Sequence, residues 1–384
     1  MSKIEKMIKR LCPNGVERVR SDSLLDYEQP TRYIVNSTEY DSKHSIPVLT
    51  AGQSFILGYT NEEDGIYKAS PQNPTIIFDD FTTGFHWVDF DFKVKSSAMK
   101  MLKLIESKKE NNFRYIYMAM KTIDYIPTNH TRHWISIYSK FEIPLPPLTI
   151  QREIVSVLDS FTTLIDKMKQ EVELRKKQME YYREKLLLFD EHEAGFVKIK
   201  DLFDTKNGYT PSTKNPDFWT DKGIPWVKME DIRENGTVLS DSAKHITMSA
   251  IKGSKLFNAN SIILATSATI GIHALVKVPH LSNQRFTNIY PKKEYENKID
   301  MKYAYYYFFK IDRWCKEHVT LGNFAGVNMS DFYDYDFPVP PISTQRSIVS
   351  TLDAFEQYIS KLERLITLRE KQYVYYREKL LTFE

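Results

Sequence analysis

Residues 141–189 read FEIPLPPLTIQREIVSVLDSFTTLIDKMKQEVELRKKQMEYYREKLLLF, and residues 335–383 read YDFPVPPISTQRSIVSTLDAFEQYISKLERLITLREKQYVYYREKLLTF. The two stretches align without a gap, and about half of their positions are identical. The chain therefore carries an internal repeat, which governs every later question about its architecture. Each copy opens on a proline cluster: Pro144, Pro146 and Pro147 in the first, Pro338, Pro340 and Pro341 in the second. Proline fixes its own φ and holds the preceding residue extended, which predicts a stiff spacer. Thr149 and Ser343 come next, hydroxyls placed to cap the free amides of a first helical turn. Apolar residues then recur at alternating steps of four and three. In the first copy these are Ile154, Leu158, Phe161, Ile165, Met168, Val172, Met179, Tyr182 and Leu186. In the second they are Ile348, Leu352, Phe355, Ile359, Leu362, Ile366, Tyr373, Tyr376 and Leu380. A seven-residue apolar repeat sustained over several turns is the pattern of a coiled coil. Arg175 and Arg369 interrupt the two series at the same place. Either each long stem simply carries its charge out to water, or the pair serves helix register or a partner.

Geometry constrains the segment between the copies. A helix of about 40 residues is roughly 60 Å long, and only residues 190–195 separate the first helix from the second globular segment. That segment of about 140 residues has an expected radius of gyration near 14 Å, too small to carry the chain back along the whole helix. The second helix is therefore expected to start near the end of the first and to run back beside it. The predicted fold is α+β: two mixed α/β heads separated by two long helices that form an antiparallel coiled coil with pseudo-twofold symmetry. The expected boundaries are a first head with a short N-terminal arm at 1–141, a proline spacer and helix at 142–195, a second head at 196–335, and the second spacer and helix at 336–384.

Composition narrows the class. A chain of 384 residues with 42% hydrophobic and 13% aromatic residues has material for two or three globular cores. No stretch of 18 or more apolar residues occurs, and residues 1–10 are charged without an apolar run. That pattern predicts a cytoplasmic protein with no membrane partner. Cys12 and Cys315 are too few for a disulfide framework and are not spaced for a metal. The net charge of +3 permits a nucleic-acid partner without arguing for one.

In the first head, short β-type runs at 32–35, 46–49, 75–78 and 87–92 are separated by turn signals, and residues 111–121 read as a helix. Lys93, Lys95, Lys100, Lys103 and Arg114 fall within one cation-rich segment. The segment is either a solvated face or a surface that tracks phosphates. Asn129, His130 and Arg132 sit in a cluster of hydrogen-bonding groups, Thr128 to Trp134, which suits a base- or phosphate-reading loop. The second head reads as β-rich, with runs at 196–199, 225–228, 261–265 and 274–278. Its candidates are Thr210 after the Asn207-Gly208 turn, Arg233, and Thr266, Ser267 and Thr269 in a loop of small residues. Asn283, Gln284 and Arg285 complete the set: their amide and guanidinium groups either match adenine and guanine edges or satisfy local backbone groups. Residues 302–309 form an aromatic-rich helix, read as core before stacking platform. Phosphate-binding loops, dinucleotide fingerprints and zinc-protease pairs are absent from the sequence, and nothing assembles into a catalytic set.

With that architecture in hand, the chain resembles the DNA-specificity subunits of Type I restriction-modification systems over nearly its whole length. The most specific matches are the twin Pro-Pro-x-x-Gln-Arg-x-Ile-Val stretches at 146–155 and 340–349, each followed by Leu-Asp-x-Phe and ending in Tyr-Tyr-Arg-Glu-Lys-Leu-Leu. The second head adds Gly208-x-Thr210-Pro211, Pro225-Trp226-Val227, Ala268-Thr269-Ile270-Gly271 and Asn283-Gln284-x-Phe286. The first head is a different variant, with Val48-Leu49-Thr50-Ala51-Gly52 and Asp79-Asp80-Phe81-Thr82. The resemblance implies a non-catalytic subunit that reads a split site in double-stranded DNA, one head per half-site. Two methyltransferase subunits would dock on it and bring S-adenosylmethionine, and restriction subunits would bring ATP and magnesium. The chain itself would hold no cofactor or metal. Gln151, Arg152, Phe161, Arg175 and Tyr182, with their repeats Gln345, Arg346, Phe355, Arg369 and Tyr376, are the expected helix-pairing or partner residues. Two other readings fit the same architecture: a coiled-coil scaffold with two protein-binding heads, and a specificity module of a Type II-like system.

Overall fold

The computed structural model describes residues 3–52, 54–253, 256–320 and 325–383. Its α-helices in chain order are α1 (Lys3–Leu11), α2 (Phe113–Met120), α3 (Leu148–Leu186), α4 (Ile199–Leu202), α5 (Met229–Asn235), α6 (Met301–Glu317), α7 (Met329–Tyr333) and α8 (Ile342–Thr382). The two long helices, of 39 and 41 residues, are the repeated stretches. Contacts divide the chain into two compact units: Met1–Gln170 with Arg364–Glu384, and Glu171–Glu363. Each unit thus combines one head with part of α3 and part of α8.

The starts of α3 and α8 differ from the capping expected of Thr149 and Ser343. Both helices begin one residue earlier, which puts the hydroxyls inside the first turn. The carbonyls of Pro147 and Pro341 receive the first amides instead, from Ile150 and Gln151 in one copy and from Thr344 and Gln345 in the other. Proline suits the place just before the first helical residue because its carbonyl still accepts while it has no N–H to leave unsatisfied.

In the first unit, strands Leu25–Glu28, Met99–Leu104, Thr75–Asp79 and Phe85–Val88 lie side by side in that order, all antiparallel. A smaller sheet sets Ile46–Leu49 between antiparallel Ile56–Thr60 and parallel Lys93–Val94. The run at 32–35 is not a strand: a 3-10 turn, Thr31–Tyr33, follows Pro30, and Ile34 makes only an isolated bridge to Val94. Helix α2 covers the larger sheet and buries Tyr115, Ile116, Ala119 and Met120. That core continues into the long helices through Ile150, Ile154 and Leu158 of α3 and Leu380 and Leu381 of α8. Further along, Phe161 stacks on Tyr376 with ring centroids 5.5 Å apart, and Lys169 pairs with Glu370 at 2.8 Å. Helix α1 is tied down at both edges by the Lys3–Glu153 and Glu5–Lys379 ion pairs.

In the second unit a five-stranded sheet has the order Phe203–Asn207, Phe286–Pro291, Ser261–Ala265, His273–Val276, Val238–Leu239, with only the last pairing parallel. A second sheet orders Trp219–Thr220, His245–Ile246, Ile224–Val227 and Leu281–Ser282. Helix α6 packs on the five-stranded sheet and buries Tyr303, Tyr305, Tyr306, Tyr307 and Phe308, so the aromatic run is core. Tyr182 of α3 stacks on Phe355 of α8, with centroids 5.6 Å apart, as its repeat does in the first unit. Ile348 and Leu352 extend this core into α8.

Candidate nucleic-acid interface

Three loops of the first head meet at one edge of its sheets. Gly84 approaches the carbonyl of Ala51 so closely that an added Cβ would lie 2.6 Å from it. His86 Nε2 lies 3.1 Å from the carbonyl of Gly52. These contacts bring residues 50–52 to the turn at 79–83, where the Asp79 carboxylate accepts the amides of Phe81 and Thr82 and Thr83 adopts a φ of 57°. The third loop, 128–132, joins through the stack of His130 on Phe81 at 4.6 Å and 15°.

Asp80 holds that third loop in place. One carboxylate oxygen accepts the Trp134 amide at 2.8 Å, its carbonyl accepts the His133 amide, and the other carboxylate oxygen lies 3.1 Å from Lys100 Nζ. His133 is buried between Tyr125 Oη at 3.0 Å and the Asn129 carbonyl at 3.2 Å. On this scaffold Asn129, His130 and Arg132 stand exposed to solvent.

The cation-rich segment is not a single phosphate-tracking face. Lys100 is 1% exposed and its charge is matched by Asp80. Lys93, 2% exposed, pairs with Glu62 at 2.7 Å and donates to the Asp64 carbonyl. A buried, paired charge presents no field to a polyanion, because its desolvation is offset only by the partner that neutralises it. Arg114 is also occupied: it bonds Asp159 of α3 at 3.0 Å and lies over the rings of Trp87 and Tyr117. Lys95 and Lys103 stay at the surface, beside Tyr40 and Tyr67 respectively. The Lys95 amide bonds the Leu49 carbonyl, which places Lys95 next to the 50–52 loop.

The second head brings its loops together in a comparable way. An added Cβ at Gly208 would collide with the carbonyls of Ser282 and Asn283, so only glycine permits this approach. Thr210 then donates to the Gln284 side chain at 2.7 Å. Asn283 holds its own turn by accepting the Arg285 amide, while the Arg285 carbonyl accepts the amide of Thr266. The loop from Thr266 turns at Ala268, whose φ is 64°, and closes with the Thr269 amide on the Ser267 carbonyl. Gln284, Arg285 and Thr210 are exposed, and Thr266, Ser267 and Thr269 partly so. Arg233 stands exposed on α5, and among the described residues no hydrogen bond ties it to these loops.

On the long helices, Arg152 and Arg346 are exposed at equivalent positions, whereas Gln151 and Gln345 are 1% and 0% exposed. The two glutamines are spent inside the protein and present nothing to another chain. Arg175 bonds Glu171 and Gln178 of its own helix and leans over Tyr358. Arg369 bonds Gln372, the repeat of Gln178.

A feature outside the repeated stretches escaped the sequence reading. The start of α2, Asn112-Phe113-Arg114-Tyr115, matches the start of α6, Asp300-Met301-Lys302-Tyr303, as cap, apolar residue, cation and tyrosine. Asn112 and Asp300 both cap their helices through the side chain. The pattern is four residues long in otherwise unlike heads, too short to stand out before the contacts are seen. Among the described residues no group of three or more histidine, cysteine or acidic side chains could hold a metal, and no helix is long and apolar enough to cross a membrane.

Comparison with known proteins identifies the family of the chain. The family model described as "Type I restriction modification DNA specificity domain" matches residues 13–174 and again 191–370. The chain is 39% identical over its full length to the Type I restriction enzyme EcoR124I/EcoR124II specificity subunit of Escherichia coli, covering 98% of that protein. It is 42% identical to the EcoprrI specificity subunit of the same organism over 53% of each chain. Among solved structures, the S subunit of a Type I restriction-modification system from M. genitalium has the same fold, with a TM-score of 0.57 at 14% identity over 96% of this chain and 97% of that one. The twice-matched model and the full-length relative, on a chain built twice from one plan, establish that this protein belongs to the Type I restriction-modification DNA specificity family.

Proposed function

We propose that the chain reads a split DNA sequence with one loop cluster per half-site, and that α3 and α8 pair as an antiparallel coiled coil that sets the gap. The observation that carries this reading is the pair of exposed loop clusters. Each head gathers three loops bearing amide, hydroxyl and guanidinium groups, and the loop sequences differ between heads. Such groups match the donor and acceptor pattern of the major groove, where all four base pairs are distinguishable. Different loops imply different half-sites. In this reading Arg132, Arg285 and the adjoining amides read base edges, while Lys95 and Lys103 contact phosphates.

The chain does no chemistry in this reading. Two methyltransferase subunits supply S-adenosylmethionine, and restriction subunits supply ATP-driven cleavage. Exposed Arg152 and Arg346, at the same place in each repeat, are suited to contacting two copies of one partner. The buried pairing of Lys93 and Lys100 removes both from the cationic surface of the first head, and flanking subunits are expected to share the phosphate contacts. The test is the methylation pattern of DNA from cells expressing this chain with the methyltransferase subunit encoded beside it. A two-part motif with a fixed gap and a methylated adenine in each half is expected. Absence of any motif, with both proteins soluble and associated, would overturn the assignment.

A further inference from the structure

In the first unit, Gln151 Oε1 accepts the amide of Asn112 at 2.8 Å, and Nε2 donates to the Pro146 carbonyl at 2.8 Å and to the Asn111 side chain at 3.1 Å. In the second, Gln345 Oε1 accepts the amide of Asp300 at 2.8 Å, and Nε2 donates to the Pro340 and Lys298 carbonyls, each at 2.8 Å. The two side chains are buried, and every polar position they have in common is used in the same way. Asn112 and Asp300 are the caps of α2 and α6, so each glutamine joins the first turn of a long helix to the first turn of a head helix.

Two further contacts repeat around each glutamine. Tyr115 donates to the Pro144 carbonyl at 2.9 Å, and Tyr303 donates to that of Pro338 at 3.1 Å. Arg114 meets Asp159 at 3.0 Å, and Lys302 meets Asp353, the repeat of Asp159, at 3.4 Å. The remainder of the two heads differs in sequence, although the strand order of the four-stranded sheet in the first recurs within the five-stranded sheet of the second. Attachments this alike under heads of unlike sequence are not needed for a core to be buried, since unlike side chains pack in many ways. A common attachment is needed if each head must meet its own helix at a set angle.

We infer that Gln151 and Gln345 are positioning residues that fix the angle of each head on its long helix and thereby hold the complex to one gap length. The inference rests on the split-site reading above. One base pair turns a duplex by about 34° and advances it by roughly 3.4 Å, so a head free to rock on its helix would accept a neighbouring gap length. A buried amide bonded at both ends resists rocking, because any tilt strands a desolvated donor or acceptor.

The test replaces Gln151 or Gln345 by methionine, which keeps the length of the side chain and removes its bonds. The chain in complex with its methyltransferase subunits is assayed on duplexes that share both half-sites and differ in gap by one base pair either way. The preference for the native gap is expected to fall about tenfold while base preference within each half-site is retained. Equal loss of binding at every gap, or an unchanged preference, would overturn the inference. Hydrogen exchange on the isolated chain gives a readout that does not depend on DNA. In Gln151→Met, faster exchange confined to residues 110–116 and 146–152 is expected. Loss of protection throughout the first unit would make Gln151 a folding residue and overturn its positioning role. If the unaltered complex shows no gap preference at all, the split-site reading fails, while the exchange result still decides whether the glutamine holds the joint.

Discussion

His280 shows how a single buried side chain ties the second head to solution conditions. Its Nδ1 lies 3.0 Å from the Val278 carbonyl and its Nε2 faces the Asn288 amide, so the neutral ring satisfies both neighbours. Burial disfavours the imidazolium and pulls the pKa down from 6.5 to about 4. Above about pH 6.5 the folded and unfolded chains both hold a neutral ring there, and the group has no effect on stability. As the pH falls further, the unfolded chain takes up a proton that the folded core refuses, so stability declines until about pH 4 and then levels. The decline attributable to this residue between pH 7 and pH 4.5 is roughly 2–3 kcal/mol. Denaturant unfolding of the native chain and of His280→Gln at both pH values measures it as the difference between two differences. Equal declines in the two proteins would place the acid sensitivity elsewhere. Lys100 and Asp80 make the opposite use of burial, with two charges matched inside the head to hold a loop whose exposed residues then face solvent.

Elements were legible in the sequence in proportion to how long their physical signal persists. The apolar period of α3 and α8 runs through many turns, and Ile154, Leu158, Ile165 and Val172 are buried as that period requires. Strands of two to six residues leave a weaker trace. Met99–Leu104 is buried at its first four positions, so alternation cannot reveal that Lys100 points inward. The run at 32–35 has β-favouring residues, yet the 3-10 turn that follows Pro30 takes up Arg32 and Tyr33. Of the candidate interface, the loops around 129–132, 210 and 283–285 were readable from their turn residues and polar groups. The burial of Lys93 and Lys100 was not, because their partners Glu62 and Asp80 come from separate strands and turns. Helix starts give a direct check at this scale. Asp300 accepts the amides of Lys302 and Tyr303, so Asp300→Ala is expected to destabilise the second unit by about 1 kcal/mol. Thr149→Ala and Ser343→Ala are expected to change stability by less than about 0.5 kcal/mol, since neither hydroxyl caps a helix. Thermal unfolding of the three variants distinguishes the cases, and a large loss for Thr149→Ala would restore the capping role that the structure removes.

At the scale of the molecule, the chain is built twice from one joint and once from each of two heads. The joint comprises the proline spacer, the buried glutamine, and the cap, cation and tyrosine that open α2 or α6. The loop residues proposed to read DNA take no part in it. Replacing a head therefore changes the loops without disturbing the attachment, provided that the incoming head carries its own cap, cation and tyrosine. Exchange of residues 196–335 for the second head of another family member is expected to yield a protein that methylates a hybrid site in the company of its methyltransferase. One half of that site should match the parent chain and the other half the donor. The gap should stay that of the parent, because α3 and α8 keep their lengths. Sequencing of methylated DNA from cells expressing the hybrid reads both halves and the gap in one experiment. A change in both halves would show that the heads read DNA jointly rather than separately. A changed gap with correct halves would assign spacing to the heads and remove it from the helices and the joint.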